Sequence, residues 1–265
     1  MFKITNFLEN DDIRILQEDG AFRTIEYLRD LSVSAREAQA AYFQAQMNIR
    51  KRQVVCDLNK SPVTIQKGAM AWTVGNVQFT TGVKGAKDLF GKIARSNVTG
   101  ESAIKPEYSG TGILVLEPTY RHLIIVDVGQ WNGSIVLEDG LFLACESQLK
   151  HRTQMRSNFS SASLGGEGFF NLELQGNGKV VLESHVPREE LVEVELQNDE
   201  LRVDGPNALA WSGSLEFTVE KSTKSLMGSA FSGEGLVNVY RGTGKVLMAP
   251  VIDDIVVEPE TTTES

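Results

Sequence analysis

Three glutamates at matching positions are the first residues in this chain whose type and spacing suggest chemistry. Glu101, Glu167 and Glu234 each follow a glycine, and a Gly-x-Gly motif comes after each of them. Carboxylate oxygens are the ligands that hard cations such as Ca²⁺ prefer. A threefold fold that brought these carboxylates together would therefore create a metal site. The alternative is that each glutamate accepts hydrogen bonds from backbone amides at a turn.

A basic segment between Thr80 and Arg95 is the second candidate site. Its four cations, Lys84, Lys87, Lys92 and Arg95, are opposed only by Asp88. A phosphate, a lipid headgroup or a nucleic acid could dock there, and the alternative is a solvated loop. The chain as a whole has a net charge of −9 and offers no broad basic face, so nothing firm indicates a nucleic-acid partner.

The remaining reactive residue types form no catalytic pattern. His122, His151 and His185 do not have metal-ligand spacing. Cys145 and His151 could face each other, but the sequence offers no third group to orient the histidine. We therefore predict a protein that is not an enzyme, with no catalytic residues and no cofactor.

A glycine motif recurs three times and predicts the architecture that must position these groups. The first glycines of the three Gly-x-Gly motifs lie at positions 110, 176 and 242, with the same spacing of 66 residues both times. Alternating apolar residues precede the motif and a β-branched run follows it, which predicts a hairpin with the glycines as its turn. The predicted turn residues are Gly110, Gly112, Gly176, Gly178, Gly242 and Gly244.

The spacing predicts a mostly β chain with three divisions. An N-terminal arm spans residues 1–52, a three-repeat β domain spans 53–252, and an acidic, disordered tail spans 253–265. The repeats run roughly over 53–118, 119–184 and 185–250, and stacking them would bury a core that one copy could not.

The N-terminal arm contains a predicted helix at about 34–50. Ser34 to Glu37 matches a capping box, and an Ala-rich face follows at helical spacing. Arg50-Lys51-Arg52 would then lie at the C-terminus of the helix, where cations suit its dipole. We expect this helix to pack on the β body, and the alternative is that it binds a partner. Earlier in the chain, Asp19-Gly20 is a hairpin signal, although a helical pattern also fits that segment.

Composition and the N-terminal sequence predict a location. The chain has two cysteines and no run of about 20 apolar residues that would span a bilayer. The N-terminus resembles neither a signal peptide nor a transit peptide. We expect a bacterial cytoplasmic protein without a transmembrane segment.

The repeated Gly-Glu and Gly-x-Gly units, with the segment Gly68-Ala69-Met70-Ala71-Trp72 ahead of them, resemble one family. This is the altered inheritance of mitochondria protein twenty-four family, a domain of unknown function, and the resemblance covers roughly Val55 to Val251. It implies three copies of a shortened double-stranded β-helix, or a β-sandwich-like body, similar to the tryptophan RNA-binding attenuation protein. It also implies a homo-oligomer.

The predicted function follows from the repeat and from the missing catalytic pattern. We expect a protein of unknown biochemical activity that acts as a non-enzymatic, homo-oligomeric scaffold or binding protein. One alternative is a small-ligand or metal-ion protein with its site where the repeats converge. Another is association with a membrane surface or nucleic acid through the segment at 84–95.

Overall fold

The computed structural model describes residues 2–81, 105–155, 170–221 and 236–250. This part of the chain is mostly β, as predicted, with two curled, barrel-like sheets and one α-helix. The elements in chain order are β1 Ile13–Asp19, β2 Phe22–Tyr27, α1 Ala38–Gln46, β3 Arg52–Asp57, β4 Val63–Ile65, β5 Met70–Thr80, β6 Glu107–Leu116, β7 His122–Asp127, β8 Ser134–Leu137, β9 Phe142–Glu146, β10 Lys150–Met155, β11 Phe170–Gln175, β12 Lys179–Ser184, β13 Val192–Asp204, β14 Ala208–Ser212, β15 Glu216–Lys221 and β16 Leu236–Met248.

The first sheet has the strand order β1-β2-β3-β6-β4-β9-β12-β7, with β5 also paired to β6. The second sheet has the order β10-β11-β8-β14-β16-β13, with β15 also paired to β16. Most of the first sheet's strands contribute to one apolar cluster, which includes Phe22, Val54, Leu114, Ile125 and Val181. This cluster is the interior of the curled first sheet.

A second apolar cluster joins the two sheets. Val180 and Leu182 of β12 enter it, while Val181 between them points into the first cluster. Strand β12 is therefore buried on both faces, because successive side chains of a strand point in opposite directions.

The strand pairing shows the same irregularity at three places that are spaced 66 residues apart. In each ladder, two consecutive residues of one strand face two residues of the partner that are separated by one unpaired residue, which is a β-bulge. The second of the two consecutive residues is Leu116 in one ladder, Leu182 in the next and Met248 in the third, so the spacing is 66 residues both times. The bulged pairs are Leu116–Met70 with Val115–Trp72, Leu182–Phe142 with Val181–Ala144, and Met248–Ala208 with Leu247–Ala210.

The Gly-x-Gly motifs lie near these bulges, but the predicted hairpins are wrong. Gly110 and Gly112 lie inside the single strand β6, and Gly242 and Gly244 lie inside β16. Gly176 and Gly178 join β11 to β12, which belong to different sheets. The alternation on both sides of each motif is real, but it does not specify which strands pair.

Gly110 shows why a glycine is needed in mid-strand. Its φ of +113° is one that other residues rarely adopt. A Cβ there would also overlap the carbonyl oxygen of Asn76 on β5. The motif therefore allows close approach of two backbones rather than reversal of the chain.

The two end strands of the first sheet meet through one side chain. The amide of Gln17 on β1 donates to the Ile125 carbonyl of β7 at 2.9 Å and accepts from the Ile125 N–H at 3.0 Å. Gln17 follows an irregularity in the β1–β2 ladder. We call this meeting line of β1 and β7 the seam.

Residues 13–27 form a hairpin at Asp19-Gly20, which decides between the two alternatives for that segment. Strand β2 pairs with β3, so the hairpin belongs to the first sheet rather than to a separate N-terminal arm. The predicted boundary between residues 52 and 53 falls inside β3. The predicted acidic tail at 253–265 lies outside the described residues.

Helix α1 is shorter than predicted and does not pack as expected. It spans Ala38–Gln46 instead of about 34–50, and none of its residues is buried. The hydroxyl of Ser34 donates to the Glu37 carboxylate at 2.7 Å, and Glu37 is the N-cap. Asn48 then has a left-handed φ of +62°, a conformation that commonly follows a helix end.

We predict that Gly110→Ala destabilises the protein more than Gly140→Ala does. Both glycines have positive φ values, so both variants incur backbone strain of about 1–3 kcal/mol. Only at Gly110 would the new Cβ overlap a backbone atom, because the space around Gly140 is open. Urea denaturation should show roughly 2 kcal/mol more loss for Gly110→Ala. Equal losses would contradict the close-approach explanation.

Candidate functional site

The residues that the sequence nominated for metal or anion binding lie outside the described part of the chain. These residues are Glu101, Glu167, Glu234, Lys84, Lys87, Lys92 and Arg95. Among the described residues, no group of three or more His, Cys, Asp and Glu side chains could hold a metal ion. Both proposals about these residues therefore stay predictions.

Cys145 and His151 do face each other, with 3.3 Å between Sγ and Nε2. Burial raises the pKa of the Cys145 thiol, and desolvation of the ring lowers the pKa of His151 to about 4, although the residue as a whole is exposed. The pair is therefore a neutral thiol beside a neutral imidazole. A nucleophilic cysteine needs an accessible thiolate, so this geometry does not activate Cys145.

A cleft of about 180 Å³ opens at the seam, and charged and polar side chains form most of its lining. We call it the seam cleft. Its walls come from β1, β2, β3 and β7, together with Asn48 after α1 and the short segment before β13. Its polar lining residues are Arg14, Gln17, Glu26, Asn48, Arg52, His122, Arg188 and Glu189.

A row of charges lies at the base of the seam cleft. Arg14 of β1 is directly opposite Glu26 of β2, and Glu26 is directly opposite Arg52 of β3. Directly opposed residues of antiparallel strands carry their side chains on the same face. The pairing register therefore places one carboxylate between two guanidinium groups.

Glu26 and Arg52 are each only 1% exposed and form the buried part of this row. Arg52 Nη2 lies 2.6 Å from Glu26 Oε2. Arg52 also donates to the carbonyl and side-chain oxygens of Asn48, at 2.9 and 2.8 Å, and to the Tyr120 carbonyl. These partners satisfy a guanidinium group that would otherwise be very costly to bury.

The second oxygen of Glu26 accepts from two more arginines. Arg14 Nη2 is 2.7 Å away and Arg50 Nη1 is 3.2 Å away. Burial opposes ionisation of Glu26, but the attraction of Arg52, Arg50 and Arg14 together outweighs it and lowers its pKa. Three guanidinium groups thus share one carboxylate, and the Nε of Arg50 is buried without a hydrogen-bond partner.

His122 lies at the start of β7 on the opposite wall of the seam cleft. Desolvation lowers its pKa, and the nearby positive charge of Arg52 acts in the same direction. The imidazole is therefore neutral near pH 7, so it can both donate and accept a hydrogen bond.

A second buried carboxylate fixes the hairpin that forms one wall. Glu146 of β9 accepts from the Ala21 N–H at 3.2 Å and from the Lys179 N–H at 3.0 Å. The Lys179 ammonium group in turn lies within 2.9 Å of carboxylate oxygens of Asp19 and Asp127. These contacts tie the β1–β2 turn to β7, β9 and β12, and so set the width of the seam.

Sequence reasoning missed this site because it assigned its arginines to a helix. Arg50-Lys51-Arg52 was expected to interact with the dipole of the helix at about 34–50, but α1 ends at Gln46 and Arg52 begins β3. Lys51 pairs with Asp30 at 2.6 Å, while its two neighbours reach Glu26. The segment Phe22–Tyr27 offered little signal, because it contains charges at both Arg23 and Glu26 and only the structure shows that Glu26 is the buried one.

Comparisons with known proteins agree with the family resemblance. A family model described as mitochondrial biogenesis AIM24 matches residues 43–251, so the chain belongs to that family. An uncharacterized protein of Streptococcus pyogenes serotype M6 is 29% identical over 192 residues, covering 69% of this chain and 75% of the relative. The family assignment made from the glycine pattern is therefore confirmed.

A solved structure has a similar fold. The crystal structure of a Streptococcus pyogenes protein matches with a TM-score of 0.56 and 25% identity, covering 77% of this chain and 90% of that one. In the described part of the chain, no helix has the length and the apolar composition that spanning a membrane requires.

We predict that Glu26→Gln destabilises the protein by about 3–5 kcal/mol, because removing one partner of a buried ion pair leaves the other uncompensated. The matched control is Glu18→Gln on β1, since Glu18 pairs with Arg23 at the surface. An exposed pair contributes at most about 1 kcal/mol. Chemical denaturation at pH 7 should separate the two variants.

The loss of stability caused by Glu26→Gln should depend on pH. The folded-state pKa of Glu26 is lowered, so its stabilising contribution is present above its unfolded pKa of about 4.3. It is lost as the pH falls through the folded value. The difference in stability between wild type and Glu26→Gln should therefore shrink in acid, and a constant difference would contradict the assignment.

We also predict that neither cysteine reacts with a thiol reagent in the native protein. Cys56 and Cys145 are both buried, and burial raises the pKa of both thiols. Colorimetric titration with a disulfide reagent should detect both thiols only after denaturation. Rapid native labelling of Cys145 would mean that His151 activates it.

Proposed function

We propose that this protein is a non-enzymatic scaffold or binding protein that associates with further copies of itself through α1. The observation that carries this proposal is the exposure of the helix. Tyr42 and Phe43 are 62% and 58% exposed, and Met47 just after the helix is 76% exposed. Large exposed apolar side chains that lie together are typical of an interaction surface.

The segments on either side of the helix also expose apolar side chains. Leu31 before α1 and Ile49 after it are also exposed, and the rings of Tyr42 and Phe43 contact each other edge to face with centroids 5.5 Å apart. We call Leu31, Tyr42, Phe43, Met47 and Ile49 the α1 patch. Aromatic residues and methionine are enriched at protein interfaces, which supports a protein partner.

The charge of α1 favours a second copy of this chain as that partner. Ala38–Gln46 contains only alanine, glutamine, tyrosine and phenylalanine, although 23% of the whole chain is charged. In a twofold symmetric contact a surface meets its own copy, so any charge near the axis would face a like charge. A helix without charges avoids that repulsion, and its small alanines permit close approach of two helices.

The expectations from the sequence about the repeats, the location and the other binding sites remain predictions. Three equivalent repeats forming double-stranded β-helices are supported by the recurring bulges and by the positive φ that Gly110, Gly176 and Gly242 share. The likeness to the tryptophan RNA-binding attenuation protein and the cytoplasmic location stay predictions. A metal site at the repeated glutamates and membrane or nucleic-acid binding at 84–95 rest on residues outside the described ranges.

We predict that replacing Tyr42 and Phe43 together by serine lowers the oligomeric state. The two rings are exposed in the single chain and would be buried between copies, so their removal should weaken association by at least about tenfold. Sedimentation velocity over a range of protein concentrations measures this directly. Thermal unfolding of the dissociated variant should show that the β body is still folded.

Tyr120→Ser is the matched control, because Tyr120 is a similarly exposed aromatic residue outside the α1 patch. This variant should keep the wild-type oligomeric state. A wild-type protein that is monomeric at every accessible concentration would overturn the proposal. An oligomer that is unaffected by the double variant would place the interface elsewhere.

A further inference from the structure

The charges around the seam cleft do not balance. Arg14, Arg50 and Arg52 share the carboxylate of Glu26, whose two oxygens accept from all three. Arg188, at the other wall, pairs with Glu193 at 2.8 Å, and Glu189 is the remaining carboxylate of the lining. Four guanidinium groups are therefore opposed by three carboxylates, and His122 adds no negative charge.

The excess positive charge lies where it is costly. Arg52 in the lining of the cleft is buried, and it shares the carboxylate of Glu26 with Arg14, which also lines the cleft. A guanidinium group in such a place is stabilised by an additional anion. Glu26 cannot fill this role because both of its oxygens are already engaged.

The seam cleft is accessible from solvent and has donors at its mouth. Arg14 and Arg188 have side chains that are 54% and 50% exposed, from opposite sides of the seam. Gln17 and His122 line the space between them. The volume of about 180 Å³ fits a small group rather than a folded partner.

We propose that the seam cleft binds the phosphate or carboxylate group of a small ligand, with Arg14 and Arg188 as its principal contacts. A guanidinium group presents a planar fork of N–H donors that matches two oxygens of either group. The ligand supplies the negative charge that the cluster around Glu26 lacks. This site differs from the α1 patch in chemistry, and it adjoins that patch at Asn48, which lines the cleft between Met47 and Ile49 in the chain.

Isothermal titration calorimetry of the full-length protein tests the proposal with two probes at constant ionic strength, inorganic phosphate and succinate. We expect at least one of them to bind with one site per chain. Arg14→Gln should weaken that binding by about tenfold or more, because it removes a charged donor from the site. Preference for phosphate or for succinate identifies which of the two groups the natural ligand carries.

The matched control is Arg202→Gln on β13. Arg202 has a side chain that is 45% exposed and pairs with Glu200 and Glu220 on another part of the surface. It should change anion affinity by less than about twofold if binding is local and not a response to net charge. Equal weakening by Arg14→Gln and Arg202→Gln would overturn the proposal, as would the absence of binding by both probes at millimolar concentration.

A variant with the opposite expected sign separates binding from structure. Glu26→Gln removes the carboxylate that competes with the ligand for the same guanidinium groups. Measured under conditions where this variant is folded, its affinity for the bound anion should rise by about threefold or more. An unchanged or weaker affinity would indicate that the arginines serve only to hold the strands together. Arg188→Gln provides a second test of reduced affinity, because its half-exposed side chain can change without disturbing the core.

Discussion

The N-terminal strands of the first sheet depend on the ion pairs that the buried carboxylate of Glu26 forms with its surrounding arginines. Glu26 lies in the middle strand of β1, β2 and β3 and accepts from an arginine on each neighbour, so it joins three strands with one charge. Burying a carboxylate is strongly unfavourable in isolation, and the attraction of the surrounding arginines reverses the balance and lowers its pKa. The same charges exclude apolar packing at this end of the curled sheet. The interior of the sheet is consequently apolar along most of its length and ionic at the edge where β1 meets β7.

The seam between β1 and β7 follows from this contrast between an apolar interior and an ionic edge. A sheet whose end strands met along their whole length would close by backbone hydrogen bonds, but here a side-chain amide, that of Gln17, makes both bonds to Ile125. Below that point, the contacts of Glu146 and Lys179 hold the β1–β2 turn against the other strands. On the other side of Gln17, Arg14, Arg52 and Arg188 line a cleft with more positive than negative charge. Closure and cleft are therefore two consequences of one distribution of polar residues, which is why variants of Glu26 should affect both stability and anion binding.

Two candidate activities thus arise from different physical causes. The α1 patch has exposed apolar area without charge, which favours contact with another protein surface. The lining of the seam cleft has three guanidinium groups, from Arg14, Arg52 and Arg188, and two carboxylates, from Glu26 and Glu189, which favours a small anion. The one thiol–imidazole pair in the described residues holds its thiol protonated and buried, so it is not an activated nucleophile.

The sequence by itself determined the class of the fold, the family and the spacing of the repeating pattern, because glycines with a required conformation and alternating apolar residues are local signals. Tertiary structure alone decided which strands pair. The Gly-x-Gly motifs predicted hairpins, yet Gly110 lies inside β6. The glycine is needed there because the backbone of β5 approaches closely at Asn76, and no local pattern specifies that β5 is the neighbour. The candidate site was hidden for the same reason. Arg14, Glu26 and Arg52 are separated by many residues in the chain and become one row only through the register of β1, β2 and β3. Likewise the Ala-rich pattern correctly indicated a helix. Whether other elements of the fold pack against that helix depends on tertiary structure, and in this protein none of its residues is buried.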